Sequence, residues 1–235
     1  MGARLEALAA LRDGRVIAVL GTLLVLDLAF LVLHVPQVVD LTDLVERLPP
    51  RAEQIVFDRQ WWLGQDGGYA ERYGYFKTTT TAVLLVVHLV RSRQWVYGAW
   101  SLVLLAILLD DALELHERGG LALGESLGLP GTSAYESNLG EILIWATLGI
   151  PLLLVVLLTH RRAGPSARAM STAFGALTAI LFGFAVAVDA IHVRTVGTPA
   201  KILGTLEDGG ELVVLSFMVA IALRRLLTDT AEAGY

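Results

Sequence analysis

Apolar residues are gathered into six runs, most of them as long as the stretch that crosses about 30 Å of hydrocarbon as a helix. Hydrocarbon offers no partners to backbone N–H and C=O groups, so such segments must satisfy those groups internally, as helices do. The six runs and their connections account for all 235 residues. We therefore predict an all-α integral membrane protein, a single transmembrane domain of residues 1–235 built as a six-transmembrane-helix bundle. Its spans are residues 16–36, 78–93, 95–116, 139–159, 169–192 and 207–226.

The composition agrees with a membrane protein, and the sequence excludes several kinds of site. Hydrophobic residues make up 55% of the chain and charged residues 17%, whereas about a quarter of the residues in soluble domains are charged. The absence of cysteine excludes disulfides, thiolate metal sites and cysteine nucleophiles. The sequence contains no phosphate-binding glycine loop, dinucleotide fingerprint or zinc-protease motif, and no basic surface that predicts nucleic-acid binding.

The basic residues predict the orientation of the helices. Cytoplasmic loops of membrane proteins carry an excess of Lys and Arg. If the N-terminus is cytoplasmic, ten of the eighteen basic residues fall in the short segments on that side. We therefore predict a multi-pass protein of the inner membrane with N and C termini cytoplasmic. The ten residues are Arg4, Arg12, Arg15, Arg91, Arg93, Arg161, Arg162, Arg168, Arg224 and Arg225.

Acidic residues are concentrated at the opposite, extracytoplasmic ends of the helices. The third span finishes in the sequence LLDDALELHE, where Asp110, Glu114 and Glu117 share one helical face. Asp111 lies beside that face, whereas His116 points elsewhere on a regular helix. The outward ends of spans four, five and six carry the same residue types: Glu141, then Asp189 and His192 at i and i+3, then Glu207, Asp208 and Glu211.

Antiparallel packing is expected to bring these acidic ends to similar depth, where a charged group costs several kcal/mol without a partner or a wet cavity. So many carboxylates cannot all be ionised side by side without countercharge. Either several are protonated or a bound cation lies among them. We expect a bound cation. Asp111 and Glu117 are expected to act as catalytic general-base or supporting residues. The expected metal ligands are Asp110, Glu114, Glu141, Asp189, His192, Glu207 and Glu211. His34, at the outer end of span one, is a further imidazole within reach.

The expected cofactor is a divalent or transition metal ion. The ligand types are similar to those of di-iron and di-manganese helix bundles, in which Glu and Glu-x-x-His project from four helices. The sequence departs from that pattern, because it has one Asp-x-x-His, Asp189 to His192, and no second pair. A dinuclear iron or manganese centre, another nuclearity, or a hard ion held by oxygen ligands alone remain alternatives.

The first outer loop, residues 37–77, has two features of its own. Leu41, Leu44, Val45 and Leu48 are spaced as on an amphipathic helix, which predicts a short interfacial helix. The aromatic residues of the segment 57–77 are typical of a belt at the membrane surface. A second interpretation is that this segment caps the acidic site.

Three features of the spans also carry expectations. Asp27 is the deepest acid, and we expect a hydroxyl or backbone partner for it on a neighbouring helix. His88 is expected to serve packing or hydrogen bonding. Small residues at every fourth position of span five predict close helix packing, with a homo-oligomer contact as the alternative; they are Ser171, Gly175, Ala179, Gly183 and Ala187.

Taken with the predicted topology, these features favour a membrane metalloprotein whose site faces the extracytoplasmic side. We expect an enzyme, either a di-iron-like oxidoreductase or a metal-dependent hydrolase, that acts on a lipid or other amphiphilic small molecule. One alternative is a cation- or proton-coupled transporter with Asp27 as a relay. Another is a non-catalytic membrane subunit whose acidic residues pair with a partner protein.

Overall fold

The computed structural model describes residues 13–39, 49, 51, 54, 58–128, 138–192 and 194–233. These residues are helical and contain no strand, so the predicted all-α class is confirmed. A short 3-10 turn, Arg59–Trp61, precedes the second helix. The helices are α1 (Gly14–Val38), α2 (Tyr69–Ser92), α3 (Trp95–Leu113), α4 (Leu115–Leu127), α5 (Asn138–Arg162), α6 (Pro165–His192) and α7 (Thr198–Ala233).

Four helices in the described part of the chain are long and apolar enough to cross a membrane, which is consistent with a membrane protein. They are Gly14–Pro36, Trp95–Leu113, Gly140–Arg162 and Pro165–His192. One of the other two predicted spans falls in α2, apart from its residue Arg93, and the other falls in α7, and both helices also contain polar segments outside the predicted spans.

Helix α2 begins at Tyr69, whereas the sequence predicted a loop up to residue 77 and a span that begins at 78. The aromatic residues ahead of that span, Tyr69 to Phe76, are therefore helical. The helix is favoured here because one of its faces is buried against other residues of the chain. Ala70 and Lys77 on this segment are almost completely buried. The predicted interfacial helix, Leu41 to Leu48, lies outside the described residues.

Local signals explain where several helices begin and end. The side chain of Asp13 accepts a hydrogen bond from the Arg15 backbone N–H, which caps the start of α1. Gly128 adopts φ +61° and ends α4 in the left-handed conformation that glycine tolerates best. Pro165 opens α6, at the position where a missing backbone N–H costs nothing.

The described residues form two compact units, one made of residues up to 77 and from 176 onward, the other of residues 78–175. In the first unit, Lys77 anchors α2 to its neighbours. Its Nζ donates to Asp27 Oδ1 on α1 at 2.8 Å and to the Leu212 carbonyl on α7 at 2.7 Å. Ser216 Oγ donates to Asp27 Oδ2 at 2.6 Å, which gives Asp27 the hydroxyl partner that was expected. A charged partner on α2 was not foreseen.

The second unit contains α3, α4 and α5. His88 is fully buried and packs against Tyr97, with ring centroids 5.2 Å apart, in agreement with its expected packing role. Ser171 Oγ accepts a hydrogen bond from Trp100 Nε1 at 2.8 Å and lies 3.0 Å from His160 Nδ1. Helices α4 and α5 meet at glycine, because a Cβ at Gly140 would lie only 2.0 Å from the backbone oxygen of Gly120.

Candidate metal centre

Three of the predicted ligands meet at one place in the first unit. Asp189 and His192 lie on the last turn of α6, and Glu207 lies on α7. One ligand atom from each residue falls within 4.8 Å of the other two, and all three residues are partly buried. His192 Nδ1 lies 3.1 Å from Glu207 Oε2. We call these three residues the metal group.

A change in helical winding precedes the two ligands of α6. Residues Gly183–Val188 are π-helical, and the α-helix resumes at Asp189. A π segment inserts an extra residue per turn, so it rotates the residues that follow relative to a regular α-helix, and such segments are frequent at functional sites. The positions of Asp189 and His192 therefore depend on a local irregularity as well as on their i, i+3 spacing.

Two glycines of α7 allow α6 to approach closely beside the metal group. A Cβ at Gly204 would lie 2.9 Å from His192 Cε1, and a Cβ at Gly210 would lie 2.5 Å from Phe184 Cζ. Any side chain at these positions would force the imidazole or the phenyl ring to move. The two glycines thus bring the end of α6 to the distance at which His192 reaches Glu207.

The electrostatics of the metal group favour a positive partner. The side chain of Glu207 is only 16% exposed. Its carboxylate lies close to the carboxylate of Asp189, and two charged carboxylates in a partly buried position repel each other. A proton relieves this unfavourable arrangement, and a bound cation would do the same for both carboxylates at once.

The described end of the outer loop packs against α7 beside the metal group. A Cβ at Gly64 would lie 3.1 Å from Asp208 Oδ2, so the loop passes directly beside the residue that follows Glu207. The Leu63 backbone N–H donates to His34 Nδ1 at 3.3 Å. His34 therefore holds the loop, and it is not a member of the metal group among the residues that the structure describes.

Aromatic residues of the loop, α1 and α2 also contact one another, and the ring centroids of Trp61 and of Phe30 on α1 lie 6.0 Å apart. Trp61 contacts Tyr69 with ring centroids 4.6 Å apart, and Phe30 contacts Tyr73 with centroids 5.5 Å apart. The predicted aromatic belt thus includes an ordered cluster between the loop, α1 and α2.

An apolar groove of about 870 Å³ runs between α1, α6 and α7 in the same unit. Of the side chains that line it, only Thr205 is polar. On α7 the lining extends from Ile202 to Phe217, a distance of about 22 Å at the helical rise per residue. Leu206 lines the groove and Glu207 follows it directly, so the groove passes beside the metal group.

The predicted ligands on α3 have partners within the second unit. Asp110 is 1% exposed, and its Oδ2 lies 2.7 Å from His116 Nδ1. Glu114 pairs with Arg118 at 3.1 Å on a more exposed surface. The predicted catalytic residues Asp111 and Glu117 are exposed.

Glu141 and Glu211 complete the predicted set. Glu141 is partly buried on α5. It lies so close to Gly120 that a Cβ at that glycine would clash with it. Glu211 is partly buried on α7, one turn beyond Glu207, and does not belong to the metal group among the described residues. The metal group thus unites three of the seven predicted ligands, and a site that includes the other four stays a prediction.

Two relevant features gave no recognisable signal in the sequence. The π-helical segment contains no proline and no unusual motif, so the sequence GFAVAV did not indicate it. His116 is the second. A regular helix places it away from Asp110, and it reaches Asp110 only because Glu114 adopts a left-handed conformation, with φ 52° and ψ 41°.

The chain belongs to the family described as Domain of unknown function (DUF8692), whose model matches residues 16–225. The matched range contains the metal group, the apolar groove and the pair of Asp110 and His116. No curated protein matches the chain, and no solved structure matches it.

Proposed function

We propose that this protein is a polytopic membrane metalloprotein in which Asp189, His192 and Glu207 bind one divalent or transition metal ion. The observation that carries this proposal is the convergence of two carboxylates and one imidazole from two helices within 4.8 Å. Imidazole and carboxylate ligands together suit zinc, iron and manganese. Three protein ligands also leave coordination positions for water or a substrate, as in catalytic metal sites. Glu211, one helical turn beyond Glu207, is proposed as a further ligand.

The protein is further proposed to act as an enzyme on a lipid or another amphiphilic molecule. The apolar groove supports this, because its volume lies in the range of about 300–1,000 Å³ that is common for ligand sites and its lining suits a hydrocarbon chain. A molecule in the groove would pass beside Glu207, which follows the lining residue Leu206. The metal would then polarise a carbonyl or phosphoryl oxygen, supply an activated water, or serve as a redox centre. Hydrolysis and oxidation are therefore both compatible with the ligands.

In the proposed topology the protein crosses the inner membrane six times with both termini in the cytoplasm. The four candidate spans would supply four crossings, and the predicted spans 78–93 and 207–226 would supply the others. The excess of arginine in the predicted cytoplasmic turns supports this orientation. The metal group would then face the extracytoplasmic side. Cysteine-accessibility labelling suits this chain, because it has no native cysteine.

Metal analysis of the detergent-purified protein tests the proposed site. We expect a stoichiometric amount of a transition metal in the wild-type protein, and binding weakened roughly 100-fold or more in Asp189→Asn and Glu207→Gln. Glu125→Gln is the matched control, because Glu125 is an exposed acid on α4 outside the metal group. This control should bind metal as the wild type does.

The outcome separates the three functional classes. Folded protein that binds none of zinc, iron, manganese or cobalt would contradict the metal site. The transporter or the non-catalytic subunit would then become the better interpretation. Uptake in proteoliposomes distinguishes these two, because only the transporter should move a cation or proton across the bilayer.

A further inference from the structure

Five exposed arginines lie on and around two short turns between helices. Residues 93–94 join α2 to α3, and residues 163–164 join α5 to α6. Three candidate membrane spans have an end here, because Trp95 begins one, Arg162 ends another and Pro165 begins the third. In a bilayer these arginines would therefore lie at the boundary between hydrocarbon and water. We call them the arginine cluster: Arg91, Arg93, Arg161, Arg162 and Arg168.

A hydrogen bond holds the two turns together. The Gly164 backbone N–H donates to Gln94 Oε1 at 3.0 Å. Within the second turn, Arg168 Nε donates to the Ala163 carbonyl at 2.7 Å, which fixes that guanidinium against the turn. The arginines of the two turns therefore belong to one surface of the second unit rather than to two separate ends.

The arginine cluster has no acidic residues beside it in the chain. No Asp or Glu occurs in residues 88–104 or 155–175. Among the described residues, none of the five arginines makes an ion pair with a carboxylate. Like charges at one surface repel one another, so an anion bound among them would lower the energy of the cluster.

Arg93 has a backbone conformation that favours glycine. Its φ of 56° lies in the left-handed region, where a residue with a side chain is strained and glycine is not. Residues held in such conformations are concentrated at functional sites. The chain thus has a guanidinium at a position where glycine would be less strained, which indicates a role for the charge.

Exposed apolar side chains lie next to the arginines in the sequence. Val90 is 67% exposed and Trp95 is 72% exposed, on either side of the first turn. Leu158, one helical turn before Arg162, is 56% exposed. Tryptophan is enriched where membrane and water meet. A partner that offers both a phosphate and hydrocarbon can use the arginines and these apolar side chains together, whereas a soluble anion can use the arginines alone.

We propose that the arginine cluster binds the headgroup of an anionic phospholipid, whose acyl chains lie along the exposed apolar side chains beside it. Guanidinium groups donate paired hydrogen bonds to phosphate oxygens, and this geometry holds a headgroup in place. Each basic residue near an anionic lipid surface increases the affinity about fivefold. In the proposed topology this lipid belongs to the cytoplasmic leaflet. The proposal does not depend on the metal group, which lies in the first unit.

Native mass spectrometry of the detergent-purified protein tests the lipid site. The protein is mixed with phosphatidylglycerol and phosphatidylcholine that carry identical acyl chains, and we expect the wild type to retain phosphatidylglycerol preferentially. In the double variant Arg161→Gln, Arg162→Gln, affinity for phosphatidylglycerol should fall roughly 25-fold, or fivefold for each charge, while affinity for phosphatidylcholine stays the same. Arg118→Gln is the matched control, because Arg118 is an arginine of the same unit that is 71% exposed and lies outside the cluster.

Arg93→Gly separates lipid binding from folding. Glycine adopts a φ of 56° without strain, so this variant should unfold at the wild-type temperature or above. Its affinity for phosphatidylglycerol should nevertheless fall roughly fivefold, because one charge is lost.

Three results would overturn the proposal. The first is equal retention of the two lipids by the wild type, which decides the matter even if the double variant does not fold. The second is an undiminished preference for phosphatidylglycerol in a folded double variant. The third is displacement of the lipid by inorganic phosphate at the same concentration, because this would identify a site for a soluble anion.

Discussion

Lys77 Nζ lies 2.8 Å from Asp27 Oδ1, and both side chains are almost completely buried, at 0% and 2% exposure. Charges removed from water are costly, and their mutual attraction repays that cost only when both partners are present. Ser216 and the Leu212 carbonyl add hydrogen bonds to the pair. A relay function for Asp27 would therefore require this network to open.

Removal of one partner of this pair should destabilise the protein far more than removal of both. Lys77→Met leaves a buried carboxylate without its ammonium partner, and Asp27→Asn leaves a buried ammonium without its carboxylate partner. Each variant should therefore lower the free energy of unfolding by about 3–5 kcal/mol. The double variant should recover much of that loss because it buries no net charge. Thermal unfolding in detergent, followed by tryptophan fluorescence, measures all three.

The control for this comparison is an exposed ion pair. Glu114 and Arg118 lie 3.1 Å apart with side chains 45% and 71% exposed, so Glu114→Gln should change stability by no more than about 1 kcal/mol. Equal losses in the double and single variants would show that the charges are not the source of the effect.

Alanine at Gly140 should destabilise the second unit. Its Cβ would meet the Gly120 backbone oxygen at 2.0 Å, and a backbone atom cannot move aside as a flexible side chain can. We expect the free energy of unfolding to fall by about 1–3 kcal/mol, as it does at other overpacked sites. Gly149→Ala is the matched control on the same helix, since nothing lies within 4 Å of its Cβ position. A variant at Gly140 as stable as the control would contradict the close crossing of α4 and α5.

Alanine at Gly204 should weaken the proposed metal site without removing a ligand. The new Cβ would lie 2.9 Å from His192 Cε1 and would displace the imidazole. On the proposed function, we expect Co²⁺ affinity to fall by about 10–100-fold, the usual effect of disturbing the support of a ligand. Titration of the ligand-field absorption of Co²⁺ measures the change. Gly21→Ala, which has open space around its Cβ, should bind Co²⁺ normally.

A tryptophan at Ile180 should reduce the binding of an amphiphile in the apolar groove. Ile180 lines the groove and is 49% exposed, so a larger ring would narrow it. The control is Leu153→Trp, because Leu153 is 54% exposed on α5 and does not line the groove. A spin-labelled fatty acid in detergent micelles reports immobilisation by the protein. Equal immobilisation by the two variants would argue against a hydrocarbon chain in the groove, while the metal titration would remain a separate result.

The sequence predicted which types of residue form the site better than it predicted which of those residues lie close together. The i, i+3 spacing of Asp189 and His192 and the acid at Glu207 were visible in the sequence, because charged residues stand out in apolar helices. The same argument assigned His116 no role, since it assumed a regular helix through Glu114. The left-handed conformation at Glu114 involves no glycine or proline, so local propensity could not reveal it.

The sequence by itself determined the helical class and the position of most helices, because long apolar runs have few ways to satisfy their backbone in a membrane. It also determined which residues carry charge at the helix ends. Only the tertiary structure decided which of those charges meet: Asp189 and His192 with Glu207, Asp110 with His116, and Asp27 with Lys77. Those pairings depend on a π-helical segment and a helix break that no local sequence pattern indicated, and on glycine contacts that join segments far apart in the chain.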